Sequence, residues 1–237
     1  MCRHWFARMK AWLGKRILGM SKALSRQGLY EFVAAECQAI APGSVVLNVG
    51  AGGEIGRILE EAARAVGFKV VGFDLDPERG PDLVGDICSF DFGTKRFDVV
   101  VCCEVLEHLP EPHCGISTIH AILKPQGHLI LTTPFMLPMH DRPHDFYRFT
   151  RHGLEFLLRD FSTVNIRERN SYFEAIDVLW VRLLQAGLGA KGRVFCALVV
   201  PLVYFLKRPL SVLLGAMLPT DAMTTGYVVS ARKSPAD

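Results

Sequence analysis

The sequence predicts an α/β fold with a doubly wound, mainly parallel seven-stranded sheet and an apolar helical insertion before the last strand. Three observations lead to this prediction. Short apolar runs alternate with helix-length patterns, a glycine-rich turn directly follows the first run, and the run 97–102, apolar except for Asp98, is typical of a strand buried on both faces. A chain of 237 residues, half of them hydrophobic, can bury the core of one such domain with additions.

The individual strands and helices follow from periodicity and from the residues that end each run. Residues 55–66 carry apolar side chains at helical spacing and stop at Gly67, which favours the end of a helix. The link between the second and third strands is too short for another helix, and Pro110 and Pro112 interrupt the helical pattern after the fourth strand. The predicted strands are 45–49, 69–73, 83–84, 97–102, 127–133, 163–167 and 225–231, and the predicted helices are 29–40, 55–66, 116–123 and 154–158.

Two segments stand apart from this pattern and set the predicted domain organisation. Residues 1–40 are predicted to form a basic, amphipathic helical segment, because the first thirty residues hold seven Lys and Arg and no acid. Residues 41–237 form the main domain, within which 172–220 is an apolar helical cap. The uncharged run 194–206 has only thirteen residues and contains Pro201, so we expect the cap to pack on the core or dip partly into a membrane rather than span it.

Charge and cysteine usage indicate the compartment and the partners. Beyond the first thirty residues the acids outnumber the bases by four, so no nucleic-acid partner is predicted. The basic N-terminal segment either packs as a terminal helix or lies on an anionic membrane surface, and both interpretations stay open. The seven cysteines are odd in number and include no C-x-x-C pair. This favours reduced thiols in the cytoplasm, with the inner membrane face as an alternative location, and no metal site.

The glycine-rich turn predicts a cofactor that contains adenosine. It reads Asn48-x-Gly50-x-Gly52-x-Glu54, and Asp74 ends the next apolar run, where a carboxylate can bind ribose hydroxyls. The glycine spacing differs from the G-x-G-x-x-G of dinucleotide enzymes, which disfavours an NAD-dependent dehydrogenase. Ligands of such sheets bind beyond the carboxyl ends of the strands, and this turn, Asp74 and the residues that follow the third, fourth and fifth strands all fall there.

Five motifs in order resemble class I S-adenosylmethionine-dependent methyltransferases, especially the branch of small-molecule and quinone-biosynthesis enzymes. They read VVLNVGAGGE, VVGFDLDP, LVGDI, FDVVVCCEVLEHLPEP and LKPQGHLILTTPF, and they cover about residues 45–135. The resemblance implies S-adenosylmethionine as the cofactor, held by Asn48, Gly50, Gly52, Asp74, Leu75, Asp86, Ile87, Cys103 and Glu104. In that interpretation the glycines lie near the methionine part.

The resemblance assigns further roles, and the chain departs from the family pattern at two positions. Asp74 accepts hydrogen bonds from the ribose, Asp86 binds the adenine amino group, and Cys103 and Glu104 line the methionine end. Asn48 stands where the family has an acid, and Glu54 stands where it has a third glycine. These departures leave a non-catalytic, cofactor-binding scaffold protein as the alternative to an enzyme.

The histidine-rich segment after the fifth strand is the predicted substrate side of the site. Methyl transfer to a hydroxyl needs a proton acceptor, and His140 or His144 with a neighbouring Asp suits that role near neutral pH. Glu107 and Glu111 are expected to be solvated, and His108 is expected to cap or pack. The predicted function is methyl transfer to oxygen of a small-molecule, saccharide or lipid-linked acceptor, with peripheral membrane contact as a further expectation.

Overall fold

The computed structural model describes residues 2–183 and 189–235. A seven-stranded sheet runs in the order β3-β2-β1-β4-β5-β7-β6. Its strands are β1 Val45–Val49, β2 Lys69–Asp74, β3 Leu83–Val84, β4 Phe97–Cys103, β5 Leu123–Pro134, β6 Thr163–Glu168 and β7 Gly226–Arg232. The pairs β1–β2, β2–β3, β1–β4 and β4–β5 are parallel, and β7 is antiparallel to β5. The predicted fold class is therefore confirmed.

Helices occur before and between these strands along the chain. They are α1 Cys2–Arg26, α2 Leu29–Gln38, α3 Gly53–Val66, α4 Pro112–Ile122, α5 Arg151–Leu157, α6 Tyr172–Arg182, α7 Gly189–Leu202 and α8 Arg208–Met217. A π-helical segment, Val203–Lys207, joins α7 to α8, and short 3-10 turns cover Pro77–Arg79 and Leu106–His108.

Two predicted boundaries around α4 are wrong. Pro112 begins α4 instead of interrupting a helix, because the first helical position needs no backbone N–H donor. Leu123, the predicted end of the helix, has an extended backbone and begins β5, since Pro125 cannot continue the helical hydrogen bonds. The pairing of β4 with β5 then shifts register between Phe97 and Val99, and Gln126 adopts a left-handed backbone with φ 62°.

The sheet buries a separate apolar layer on each face, as expected for a doubly wound fold. On one face Leu47 and Val49 of β1 pack with residues of α4 and α5, among them Ile119 and Leu154. On the other face Val46 packs with Phe32 of α2 and Leu59 of α3. Successive residues of a strand point to opposite faces, so β1 contributes to both layers. Both faces of β1 are therefore covered by apolar side chains of helices.

The described residues form two compact units that divide the chain differently from the predicted domains. Unit 1 comprises residues 2–27, 136–138, 168–183 and 189–225, and unit 2 comprises the rest. Helix α2, which the sequence grouped with the N-terminal segment, belongs to unit 2 because it packs on the sheet. In unit 1, Ile17 and Leu24 of α1 form a small core with Val181, Val200 and Val203.

Candidate active site

The glycine-rich turn lies at the carboxyl end of β1 and is tied to β2. The backbone N–H groups of Gly50 and Ala51 donate to the Phe73 carbonyl at 2.9 and 3.1 Å. Gly50 has φ 81°, and a Cβ there would lie 2.4 Å from Cγ2 of Val105. Gly52 has φ 97° and open space beside it, so backbone can approach a ligand there. The turn thus has the conformation that the glycine motif predicts.

Asn48 lies in β1, directly before this turn. Its side chain is buried, and its Oδ1 has no hydrogen-bond partner within the described parts of the chain. A buried acceptor without a donor costs free energy unless a ligand supplies one. An amide oxygen can accept from the ammonium group of S-adenosylmethionine, although it lacks the charge of the family's acid. Asn48 and the open space at Gly52 therefore fit the cofactor that the sequence predicts.

Asp74 ends β2 beside the turn, in register with Val84 of β3. Its side chain is buried, its Oδ1 accepts from the Asp76 N–H at 2.9 Å, and its Oδ2 lies 3.5 Å from Nη1 of Arg79. Sequence reasoning missed Arg79, which partly balances the carboxylate charge. Leu75, the next residue, is 71% exposed and forms an apolar surface at the strand end. A buried carboxylate beside an exposed apolar surface is suited to a ribose with an adjoining base.

The remaining predicted cofactor residues follow β3 and β4. Asp86 is exposed, its Oδ1 accepts from the Cys88 N–H at 2.9 Å, and Ile87 beside it is buried. Cys103 is buried at the end of β4. Glu104 has a left-handed backbone with φ 55°, and its Oε1 accepts from the Thr132 hydroxyl at 3.1 Å. Such backbone strain in a residue other than glycine often marks a functional site.

Glu107 was expected to be solvated, and this expectation is wrong. Its side chain has no exposed surface, and neither carboxylate oxygen accepts a hydrogen bond from the described residues. Two imidazoles face it: Nε2 of His108 lies 3.7 Å and Nε2 of His140 lies 3.8 Å from Oε1. Burial raises the pKa of Glu107, and the Glu107 carboxylate raises the pKa of His140. Glu111, by contrast, is exposed as expected.

The segment 139–148 folds so that other groups hold the two imidazoles. Nδ1 of His108 lies 2.6 Å from the His144 carbonyl oxygen, so that nitrogen donates and Nε2 is directed at Glu107. His140 donates its backbone N–H to Asp145, whose Oδ2 lies 3.5 Å from Nδ1 of the same ring. Arg148 donates to both Asp145 oxygens at 2.6 and 2.8 Å and lowers the pKa of Asp145 to about 2.

Of the two predicted catalytic histidines, the structure brings His140 to the carboxylate. The side chain of His144 is exposed, and this residue contributes its backbone carbonyl to His108. Glu107, His108 and His140 also offer ligand atoms that lie within 4.8 Å of one another, an arrangement that could hold a divalent cation. The sequence does contain a signal for this cluster, the adjacent Glu107 and His108 in the short link after β4. The expectation for Glu107 is solvent exposure, and the expectation for His108 is capping or packing.

Comparison with known proteins identifies the family. A family model described as a methyltransferase domain matches residues 20–173, more than half of the chain. The ubiquinone biosynthesis O-methyltransferase of Vibrio campbellii is 34% identical over 134 residues, which is 49% of this chain and 52% of that protein. The enzyme of that name from Proteus mirabilis is 33% identical over 108 residues, 38% of this chain and 42% of that protein. The chain spans about half the length of these curated relatives.

Solved structures share the fold at low identity. Haemonchus contortus phosphoethanolamine N-methyltransferase 2 in complex with S-adenosyl-L-methionine has a TM-score of 0.54 and 17% identity, covering 82% of this chain and 50% of that chain. The [4+2]-cyclase SpnF has a TM-score of 0.54 and 20% identity, covering 87% and 80%. This fold therefore also carries a reaction other than methyl transfer. The matched family model, together with the glycine turn and Asp74, shows that the chain belongs to the class I S-adenosylmethionine-dependent methyltransferases.

Proposed function

We propose that this protein transfers a methyl group to an oxygen atom of a small-molecule, saccharide or lipid-linked acceptor, and that His140 accepts the proton of that oxygen. The observation that supports the proposal best is the buried Glu107 carboxylate beside Nε2 of His140. Bound S-adenosylmethionine supplies an electrophilic methyl group on a sulfonium, and Asn48, Gly50, Gly52 and Asp74 are the residues that would hold it. The curated relatives are named as O-methyltransferases, which also favours oxygen.

In the proposed proton transfer His140 accepts the proton, and Glu107, Asp145 and Arg148 support it. A hydroxyl becomes a good nucleophile when its proton leaves during methyl transfer, and a neutral imidazole accepts that proton near neutral pH. Nδ1 of His140 lies 3.5 Å from Oδ2 of Asp145 and 3.4 Å from Nη2 of Arg148, and these two groups fix the orientation of the ring. The Glu107 carboxylate then stabilises the imidazolium, and its burial strengthens this attraction because little water screens it. Arg148 holds Asp145 in place.

A scaffold protein that binds the cofactor without catalysis is the second candidate, supported by Asn48 in place of an acid. The Glu107 cluster favours the enzyme, because a buried carboxylate without hydrogen bonds destabilises a fold and perturbed groups of this kind concentrate at catalytic sites.

Binding calorimetry with S-adenosylmethionine together with a product assay separates the two candidates. The assay compares lipid and sugar-nucleotide extracts by tandem mass spectrometry, with and without the protein. A product that gains one methylene mass at oxygen supports the proposal, whereas binding without product supports the scaffold.

The pH profile of turnover is expected to depend on Glu107. His140 works as a base only when it is unprotonated, and Glu107 raises its pKa above the usual range of an imidazole, so turnover should rise as the pH increases through that raised pKa. In Glu107→Gln the negative charge is gone, the His140 pKa falls, and the acidic limb of the kcat profile moves to lower pH. The exposed Glu111→Gln is the matched control and should leave the limb in place. An unmoved limb in Glu107→Gln would assign it to a different group.

Chelation is expected to leave turnover unchanged, because the proposed proton transfer uses no metal. The experiment measures kcat after dialysis against EDTA and again after Mg²⁺, Mn²⁺ or Zn²⁺ is added back. A loss of activity that one of these ions restores would contradict the role of His140 as a base, since Glu107, His108 and His140 would then be metal ligands.

A further inference from the structure

The helical stretch from α7 to α8 in unit 1 is long, apolar and mostly exposed. Residues Val194–Met217 have a mean hydropathy of 1.7 over their most apolar 18-residue window, and only 17% of that window is buried. By length and composition this stretch of 24 residues is sufficient to cross a membrane. Exposed apolar patches of this extent are uncommon on monomeric soluble domains and mark interaction surfaces.

Most of the large apolar side chains of this stretch are exposed. The most exposed are Leu198 at 72%, Leu206 at 69% and Met217 at 66%. Others with large exposed fractions are Val194, Phe195, Leu202, Phe205, Leu210, Val212, Leu213 and Leu218. We call this set, together with the three named first, the apolar surface of unit 1. If unit 1 lay in water, all of these apolar side chains would be hydrated, which is unfavourable. An apolar partner would remove them from water.

One stripe of the same helix is packed inside unit 1. Cys196, Val200, Val203 and Ser211 are buried at helical spacing. The Lys207 ammonium pairs with the Asp177 carboxylate of α6, which is 1% exposed, and lies 3.3 Å from the Ser211 hydroxyl. A helix tied by a partly buried ion pair to its own unit is held beside α6 instead of being free to cross a bilayer alone. The helix is long enough to span a bilayer, but its packed stripe indicates contact with one leaflet instead.

The charges of unit 1 favour an anionic lipid surface over a protein partner. Helix α1 belongs to the same unit, and residues 1–30 contain seven Lys and Arg and no acid. Residues 189–218 contain four more Lys and Arg and again no acid. Lys15, Arg16 and Lys22 are exposed, and the Arg16 guanidinium lies 4.5 Å from the ring centroid of the exposed Trp12. Basic side chains beside an exposed Trp are typical of the interface between lipid headgroups and acyl chains.

We propose that unit 1 is a bilayer-docking module that enters one leaflet without spanning it. The apolar surface of unit 1 lies among the acyl chains, and the cations of α1 lie at anionic headgroups. Each basic residue near an anionic surface contributes about 1 kcal/mol, an attraction that salt weakens, whereas the apolar contact resists salt. This contact brings the enzyme to acceptors that are dissolved in or linked to lipid, at the cytoplasmic face of the membrane.

The test measures binding of the full chain to phosphatidylcholine vesicles and to vesicles with added phosphatidylglycerol, at low and high salt. We expect strong binding to the anionic vesicles, partly reversed by salt. Neutralising the three exposed cations in Lys15→Gln/Arg16→Gln/Lys22→Gln should weaken low-salt binding on the order of a hundred-fold. Leu206→Glu should weaken the salt-resistant binding by about ten-fold or more. Phe156→Glu is the matched control, since Phe156 is 68% exposed but belongs to unit 2.

Three outcomes overturn the proposal, and each has its own readout. Protein that remains in the supernatant with every vesicle rules out the lipid partner. Resistance to alkaline carbonate, together with labelling of cysteines introduced at the two ends of the helix from opposite sides of the vesicle, shows a spanning helix. A concentration-dependent dimer that Leu206→Glu dissociates, without vesicle binding, shows that a second copy covers the surface. Circular dichroism of each variant confirms that it is folded.

Discussion

Replacing Asp74 with alanine is expected to weaken the binding of S-adenosylmethionine by about ten-fold or more. Asp74 is buried at the end of β2, where its carboxylate can accept from both ribose hydroxyls. Hydrogen bonds to a charged acceptor contribute roughly 1.5–3 kcal/mol each, and water replaces part of that contribution when the carboxylate is removed. Isothermal titration calorimetry with the cofactor measures the change directly.

Two variants separate the cofactor role of Asp74 from its local role. The Asp74 carboxylate also accepts the Asp76 N–H at 2.9 Å, so the loss of this turn contact needs its own control. Asp91 makes the same kind of contact with the Gly93 N–H at 2.8 Å, and Asp91→Ala should leave cofactor affinity unchanged. Asp74→Asn retains an acceptor for the turn but loses the charge, and it should also bind the cofactor weakly. Wild-type affinity in a folded Asp74→Ala protein contradicts the assigned ribose contact.

Replacing His140 with alanine is expected to lower turnover by about a hundred-fold or more while leaving cofactor affinity nearly intact. His140 is the predicted base whose Nε2 faces the buried Glu107 carboxylate. Rapid-quench measurement of a single turnover reports the chemical step, and calorimetry on the same variant reports cofactor binding. The split between the two readouts distinguishes a base from a residue that merely supports the fold.

His144→Ala is the matched control for this experiment. The side chain of His144 is exposed, and its contact with His108 uses the backbone carbonyl, which the substitution keeps. Turnover near the wild-type value is therefore expected. If both variants keep normal turnover, the acceptor needs no protein base, as for an amine or a thiolate. If His140→Ala loses cofactor binding or stability along with activity, segment 139–148 has a structural role.

The cofactor-binding residues of the site can be predicted from local patterns in the sequence. The turn after β1 needs glycine because Gly50 and Gly52 adopt positive φ, and Asp74 follows directly from the end of an apolar strand. These features depend on neighbours within a few positions, so the order of strand, turn and carboxylate is visible without a structure. The same reasoning places the two layers of the core, because strand and helix periodicities reveal which faces are apolar.

The substrate side depends on contacts between distant segments. Glu107 resembles a solvated residue of a short link, but its backbone carbonyl accepts from the N–H groups of Phe146 and Tyr147 at 2.9 and 3.2 Å. The same segment places Nε2 of His140 3.8 Å from Oε1 of the buried Glu107 carboxylate. No local periodicity reports a pairing across more than thirty residues, so burial and the resulting pKa shifts could not be predicted.

The sequence by itself determined the doubly wound sheet, the family and the cofactor, because these depend on short-range patterns and on motif order. Tertiary structure alone decided that Glu107 is buried between His108 and His140 and that α2 packs on the sheet. It also decided that one stripe of α7 and α8 is packed while the rest stays exposed, since the partner α6 becomes a neighbour only on folding. The physical reason is the same in each case: burial depends on which distant segment covers a side chain, and composition does not encode that choice locally.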